Sequence, residues 1–319
     1  MKAPPMAMSF ALLLLLMAGV RGADRHGGDF LRVDVGAGPV ASGGTGVLGA
    51  DAGTLAWWNP AQLASQGDMV LSFQHQEAFG GELGLDWLSW KGRHRDLPLS
   101  VYVLRQAVPD IPISQLLEGG ASFEEGGRPV VRREDAADWV LGVATAREER
   151  PGLDGGLALK LIHRDLATLS ATGLGLDAGL RLRLQHGLEL GASLRDFSGG
   201  VLFWTDGQTD WIPPAWALGS AWTRDLPRLR SKVRLELDLR GELEGAVPDR
   251  RGHWRKAWLQ GGVEWRFLDK LALRAGHAEG DPAAGAGLNL GRWSVDYAWR
   301  PHTELGASHL VTVSARLSQ

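Results

Sequence analysis

The sequence predicts an all-β protein: a fourteen-stranded antiparallel transmembrane β-barrel of the outer-membrane kind, with an N-terminal plug. Three observations carry this prediction: strict alternation of apolar and polar residues, the number of alternating segments, and the positions of the longest connections. In residues 233–240 every second residue is aliphatic and every residue between is charged. Because successive strand side chains point to opposite faces, one face is apolar and the other ionic.

The N-terminus has the pattern of an export signal. Lys2 precedes an apolar run at residues 10–20, and the small residues Gly22 and Ala23 follow it. The run is shorter than the roughly 20 apolar residues that a membrane-spanning helix needs. An uncleaved anchor is the alternative. We predict that residues 1–22 are a cleaved signal peptide and that the mature chain reaches the outer membrane.

Residues 23–66, called the hatch segment below, lack sustained alternation. They are rich in glycine at residues 36–38 and 42–46, and they precede the first alternating segment. We expect an irregular or short-helical segment that tucks into the barrel. Residues 67–319 then form the barrel itself.

The barrel strands follow in order. Alternation predicts them at about residues 69–77, 82–91, 98–107, 138–148, 154–164, 169–184, 187–196, 214–223, 231–241, 256–267, 270–278, 283–290, 292–300 and 307–317. An even number places both ends of the barrel on the periplasmic side. The three longest connections, residues 108–137, 197–213 and 242–255, then all fall on the external side. Short periplasmic turns and long external loops are typical of bacterial outer-membrane barrels.

The composition excludes several classes of protein. There is no cysteine, which removes lipoprotein anchoring, disulfides and thiolate sites. The net charge is only −3, so no strong field favours nucleic acid as a partner. The chain has 14 tryptophans but 2 tyrosines, and tryptophans near the predicted strand ends suit the membrane interfaces. Ordinary core tryptophans of a soluble β-protein are the alternative.

The inward faces of the predicted strands carry many charges. Those that we single out are Arg181, Arg183, Arg234, Glu236, Asp238, Arg240, Glu264 and Arg266. Opposite charges on neighbouring strands can neutralise each other, so ionic packing explains them better than acid–base catalysis. So charged a lumen argues against an apolar conduit that runs the whole length of the barrel.

No catalytic motif is present in the sequence. The nine histidines lack paired metal-ligand spacing, and the chain contains neither a P-loop nor a nucleophile elbow. We therefore expect no catalytic residues, no cofactor, no metal site and no enzymatic activity.

Residues 30–64 resemble the opening of PorV/PorQ-family outer-membrane proteins, which belong to the FadL-like superfamily. The resemblance is carried by Gly36, Gly43, Gly44, Asp51, Ala52, Trp58, Asn59, Pro60, Ala61, Leu63 and Ala64. It implies that the hatch motif Trp57, Trp58, Asn59, Pro60 and Ala61 lies inside the lumen. A plain turn before the first strand is the alternative. Gln62 departs from the family pattern, which has glycine after Asn-Pro-Ala.

The resemblance implies two functional hypotheses for a barrel embedded in outer-membrane lipid. The first is a component of type IX protein secretion that receives exported cargo, with secretion-system proteins or cargo as partners. Its contacts would come from the external loops, where the candidates are Ile111, Leu116, Leu117, Phe123, Phe203 and Trp204. The second is a FadL-like transporter of hydrophobic small molecules. A general porin or purely structural role is a third possibility.

Overall fold

The structure, a computed structural model, describes residues 28–65, 67–114, 130–243, 247–248, 254–255, 257–278, 280–302 and 305–317. The expected signal peptide and the loop candidates Leu116, Leu117 and Phe123 lie outside the described residues. No helix in the described part of the chain is long and apolar enough to span a bilayer.

Fourteen antiparallel strands form the barrel, which confirms the predicted fold class. They are β1 (Met69–Ala78), β2 (Leu83–His94), β3 (Leu97–Ser114), β4 (Val130–Arg150), β5 (Leu153–Leu166), β6 (Leu169–Arg183), β7 (Leu188–Arg195), β8 (Ala215–Leu226), β9 (Ser231–Glu242), β10 (Ala257–Phe267), β11 (Leu271–Ala278), β12 (Asp281–Leu290), β13 (Trp293–His302) and β14 (Gly306–Leu317). Consecutive strands pair along the chain. Strand β1 also pairs with β14, which closes the sheet.

The two faces of the wall differ as the alternation predicts. On β9, Leu237 is 53% exposed and faces outward, whereas its neighbours Glu236 and Asp238 are buried in the lumen. Leucines cover the outer face of most other strands in the same way. A continuous exposed apolar wall of this kind is suited to lipid rather than to water.

The two rims of the barrel also differ. The chain enters β1 and leaves β14 at one rim, where the other strands are joined by turns of two to four residues. Tight turns need left-handed backbone, and Arg95 and Asp96 supply it between β2 and β3, with φ of 48° and 67°. By the known asymmetry of such barrels this is the periplasmic rim, and the rim with the long connections is the outer one.

The predicted external loop at residues 108–137 is wrong at both ends, because β3 continues to Ser114 and β4 begins at Val130. The two strands pair across a bulge that lies between Val108 and Ile111. Pro109 and Pro112 interrupt the alternation there, so the sequence pattern did not predict these parts of the strands.

The predicted loop at residues 197–213 contains a β-hairpin formed by Gly200–Trp204 and Thr209–Ile212. The hairpin pairs with β6, from Ala171 opposite Trp204 to Leu174 opposite Val201. Strand β7 ends at Arg195, so the hairpin completes the wall beside the outer part of β6.

The described part of the hatch segment, residues 28–65, lies inside the lumen as short helical turns. A 3-10 turn (Asp29–Arg32) is followed by α1 (Ala37–Ala41), α2 (Leu55–Trp58) and a second 3-10 turn (Pro60–Ser65). The segment begins at the outer rim, where Arg32 pairs with Glu242 at the outer end of β9. It leads into β1 at the periplasmic rim.

Candidate functional site in the barrel lumen

Inward-facing glycines let the hatch backbone lie directly on the wall. A Cβ at Gly276 would stand 2.2 Å from Gly43 N and from the Ser42 carbonyl carbon, where no side chain fits. The same close approach, under 3.0 Å to a hatch atom, occurs at Gly156, Gly179, Gly191, Gly219, Gly262 and Gly285. The glycines within the strands therefore form a seat for the hatch.

Strand β9 holds the hatch by its charged face. Asp238 Oδ2 accepts hydrogen bonds from the backbone N–H groups of Gly46 at 2.9 Å and Val47 at 3.0 Å. Earlier on β9, Glu236 accepts a bond of 2.8 Å from Thr45 Oγ1, and Arg234 donates one of 2.8 Å to the Leu48 carbonyl. Hydrogen bonds to charged groups are among the stronger ones, so residues 45–48 are firmly anchored.

Asp34 anchors the hatch with its own side chain, which reaches the wall. Its carboxylate lies 3.1 Å from Arg240 Nη1 and 2.8 Å from Arg300 Nη1. Burial alone would raise the pKa of Asp34, but the two guanidinium groups outweigh burial and lower it. Asp34 is therefore ionised and ties the hatch to β9 and β13.

All eight of the predicted lumen charges lie at inward-facing positions. Besides the residues of β9, Arg183 Nη2 lies 3.0 Å from Asp154 Oδ1, and Arg266 Nη2 lies 2.9 Å from Glu264 Oε1. Arg181 pairs with Glu189. These eight charges thus pair with other wall residues or with the hatch, and no described cluster has the geometry of a metal site.

The hatch motif packs the end of the hatch segment against β5 and β6. Asn59 has the extended backbone that a following proline imposes, with φ of −159° and ψ of 103°. Its Nδ2 donates to the carbonyls of Val47 and Leu180, both at 3.0 Å, and its Oδ1 accepts from Ala61 N at 3.1 Å. Asn59 therefore links two parts of the hatch to the wall.

The two tryptophans of the motif point away from that contact. Trp58 Nε1 donates to the Val35 carbonyl at 2.7 Å, and Trp57 Nε1 donates to the Val33 carbonyl at 3.2 Å. Both side chains are buried, so the hatch folds on itself around them.

An aromatic sector occupies one side of the lumen. Its inward residues on β2–β5 are Leu85, Trp87, Tyr102, Leu104, Val140 and Ile162, all buried, and Trp57 packs against them from the hatch. Trp57 meets Trp87 and Tyr102 edge-on at 5.9 Å and 6.1 Å between ring centroids. Trp87 and Tyr102 stack at 4.7 Å.

The aromatic sector bears on the expectation that so charged a lumen holds no apolar conduit along the whole length of the barrel. The charges that the sequence singled out lie on β6, β9 and β10, whereas β2–β5 turn mainly apolar side chains inward. Residues 101–104 (Val-Tyr-Val-Leu) are apolar at every position, which is the pattern of a strand buried on both faces. That signal could have identified the sector.

A buried ionic group borders the aromatic sector, and sequence reasoning missed it. Lys160 Nζ lies 2.8 Å from Asp177 Oδ1 and 2.8 Å from Asp196 Oδ1, and its side chain is 1% exposed. It also stands 6.0 Å from the centre of the Trp57 ring. Lys160 and Asp177 occupy inward positions of ordinary alternating strands, so nothing in the sequence distinguishes them.

The external contact candidates separate into different environments. Phe203 is 65% exposed on the hairpin, as a contact residue would be. Trp204 is not free, because its Nε1 donates to Asp210 at 2.8 Å and its ring packs beside the buried core. Ile111 lies within strand β3 rather than in a loop.

The closed fourteen-stranded wall with an N-terminal segment in its lumen defines the fold of an outer-membrane β-barrel. No protein-family model matches the sequence, and no curated protein matches it either. Several solved structures, in contrast, match its fold.

The toluene transporter TbuX of Ralstonia pickettii aligns over 89% of this chain and 98% of its own, with a TM-score of 0.57 and 12% identity. The CymD monoaromatic hydrocarbon channel aligns over 90% and 98%, with a TM-score of 0.58 and 12% identity. The toluene transporter TodX of Pseudomonas putida aligns over 88% and 96%, with a TM-score of 0.55 and 14% identity. At these identities the similarity establishes the fold.

Proposed function

We propose that this protein is a non-enzymatic outer-membrane channel for small hydrophobic molecules. The observation that carries the proposal is the aromatic sector, an apolar strip of inner wall opposite the charged strands. Ligand sites for small apolar molecules are lined mainly by hydrophobic and aromatic side chains with few polar groups. The names of TbuX, TodX and CymD, which have the same fold, refer to toluene and monoaromatic hydrocarbons.

The hatch can yield on one side while it is held on the other. Charge-assisted hydrogen bonds fix residues 45–48 to β9. At the aromatic sector, Trp57 meets Trp87 and Tyr102 through ring contacts. An apolar cargo molecule can replace such contacts with its own, whereas it cannot replace hydrogen bonds to carboxylates. Passage along the aromatic sector therefore needs only a local shift of the hatch.

The proposal is tested by matched substitutions of two leucines. Leu104 on β3 and Leu310 on β14 both face the lumen and are both 1% exposed, but only Leu104 lines the aromatic sector. Leu310 packs instead against Ala37, Val40 and Ala41 of the hatch. Uptake of radiolabelled toluene would be measured in a porin-deficient Gram-negative host that expresses each variant.

Leu104→Gln places an amide on the proposed path and should lower toluene uptake several-fold, because an unpaired buried amide costs about 1–3 kcal/mol. Leu310→Gln should destabilise the barrel similarly but leave uptake close to that of the unsubstituted protein. Equal uptake by both variants, or no toluene uptake by the unsubstituted protein, would refute the proposal.

A second candidate function is the secretion role that the PorV/PorQ resemblance implies. The feature that favours it is Phe203, exposed on a hairpin held in place by its pairing with β6. Rigid exposed aromatic side chains are typical protein contacts. Cross-linking from a photoreactive residue at position 203 in intact cells would test it, and recovery of the barrel alone, with secretion intact after gene deletion, would argue against it.

A further inference from the structure

Arg195, at the outer end of β7, is a lumen cation without a partner. Its guanidinium makes no hydrogen bond and no ion pair with any described residue. Its one specific contact is with the face of Trp57, whose ring centre lies 5.7 Å from Cζ. The side chain is only partly exposed, and it lies deep enough for Asp177, Asp196 and Arg240 to act on it electrostatically.

A guanidinium has five N–H donors, and none of the nitrogens of Arg195 is among the fully buried unsatisfied atoms of the described residues, so a ligand in the lumen can reach them. Each of the neighbouring carboxylates already forms an ion pair with another cation, although Asp177 Oδ2 and Asp196 Oδ1 accept no hydrogen bond. Asp177 and Asp196 bind Lys160, and Asp34 is shared by Arg240 and Arg300. Glu242, which also lies within electrostatic reach of Arg195, pairs with Arg32. Arg195 is therefore left without a carboxylate of its own among these residues.

Two more unsatisfied polar atoms lie on the same side of the lumen. Tyr102 Oη and Trp87 Nε1 are both buried, and neither has a hydrogen-bond partner in the structure. Their rings adjoin Trp57, which in turn carries Arg195 on its face. This side of the lumen therefore combines unsatisfied hydrogen-bond donors with an aromatic surface.

We propose that Arg195 and Trp57 form a binding site for a small aromatic carboxylate. This inference rests on the proposed channel function and adds small aromatic acids to its substrate class of small hydrophobic molecules. A carboxylate matches the fork of a guanidinium in two parallel hydrogen bonds. When the hatch edge shifts, the attached ring can pack beside Trp57, Trp87 and Tyr102, since aromatic pairs favour edge-to-face or offset contacts. Tyr102 Oη is available as an additional donor to the carboxylate.

The test uses radiolabelled benzoate as the probe and the purified full-length barrel in detergent, with binding measured by equilibrium dialysis. Arg195→Gln should weaken benzoate binding by about 10-fold or more, the effect of losing a charged hydrogen bond. Arg195→Lys keeps the charge but loses the fork and should fall in between. Arg266→Gln is the matched control, because it also removes a lumen arginine but lies at the periplasmic end.

Heat-modifiable gel mobility identifies any variant that fails to fold. If folded Arg195→Gln binds benzoate as tightly as the unsubstituted barrel, the inference is wrong. If octanoate or chloride displaces benzoate at equal concentration, the site binds anions in general and the aromatic assignment is wrong.

Uptake in the porin-deficient host separates this inference from the channel proposal. The ratio of benzoate to toluene uptake should fall about 10-fold in Arg195→Gln. An unchanged ratio in cells that take up toluene overturns the aromatic-acid site alone. Failure of the unsubstituted protein to take up either compound overturns the channel function as well.

Discussion

Replacing Gly276 by alanine should loosen the hatch. A Cβ at this position would stand 2.2 Å from Gly43 N and from the carbonyl carbon of Ser42. Ordinary contacts begin at 3.4 Å, so the hatch backbone must retreat by about 1.2 Å. Backbone atoms cannot rotate out of the way as the end of a side chain can. Overpacking of this kind typically costs about 1–3 kcal/mol.

A retreat of that size also strains the anchor that follows along the chain. Thr45 donates to Glu236 at 2.8 Å, and Gly46 donates to Asp238 at 2.9 Å. Lengthening either bond by 1 Å would break it. A loss of about 1–3 kcal/mol raises the population of the displaced hatch by about 5–150-fold. Hydrogen exchange read by mass spectrometry on a peptide spanning residues 42–48 should speed up by that factor.

Gly84→Ala provides the control, since Gly84 is also a strand glycine but its Cβ would meet nothing nearer than 4.0 Å. Exchange in the hatch should be unaffected by this change. Equal exchange in Gly276→Ala and the unsubstituted barrel would show that the hatch does not rest on β11 as described. Faster exchange in both variants would mean that any added methyl group loosens the barrel.

Three further predictions test other parts of the structure. Leu237→Arg should cost about 2–4 kcal/mol in lipid and reduce assembly into the outer membrane, measured by heat-modifiable mobility, whereas Leu268→Arg in an exposed periplasmic turn should assemble normally. Burial raises the pKa of Asp51 in the hatch to about 7 from an ordinary 3.8, so the folded state retains a proton that the unfolded chain loses. The stabilisation from this retained proton is complete below pH 3.8 and is lost as the pH rises through about 7. Thermal unfolding measured as a function of pH should show this loss of stability. Asp51→Asn should abolish the pH dependence. Arg164→Gln should remove the cation that lies 4.4 Å from the Phe30 ring at the outer mouth, so hydrogen exchange in residues 30–32 should increase; unchanged exchange would refute that contact.

The barrel could be predicted because strand alternation is a local property of the sequence. Charged and aliphatic residues alternate in residues 233–240 whatever they touch, and lipid on one side enforces the pattern. The extensions of β3 and β4 beyond the membrane lack that constraint. There the strands are held by cross-strand pairs such as Asp110 with Arg133, which no alternation reveals. The hairpin beside β6 was missed for a similar reason, since it depends on β7 ending early.

The contents of the lumen were harder to predict than the wall. The inward position of Asp238 follows from alternation, but its partners Gly46 and Val47 are about 190 residues away in sequence. Likewise, Arg195 looks like any other inward arginine until the neighbouring carboxylates are found to be occupied. Sequence pattern identifies the face on which a residue lies. It does not identify the residues that meet across a closed barrel.

The division of the lumen into a charged side and an aromatic side bears directly on how a plugged barrel can conduct. Breaking the contacts of Asp238 would leave a buried carboxylate unpaired, a cost of several kcal/mol that an apolar cargo cannot offset. Separating Trp57 from Trp87 exposes only apolar surface, which an entering aromatic molecule covers again. Under the proposed channel function, this free-energy difference favours a route on which the hatch stays attached to β9 and parts from β2 and β3, where a neutral hydrogen bond of 2.7 Å from Ser89 Oγ to the Gly53 carbonyl is lost. Arg195 lies at the outer end of that route, beside Trp57. Under the proposed channel function, conduction requires displacement of one edge of the hatch rather than its expulsion.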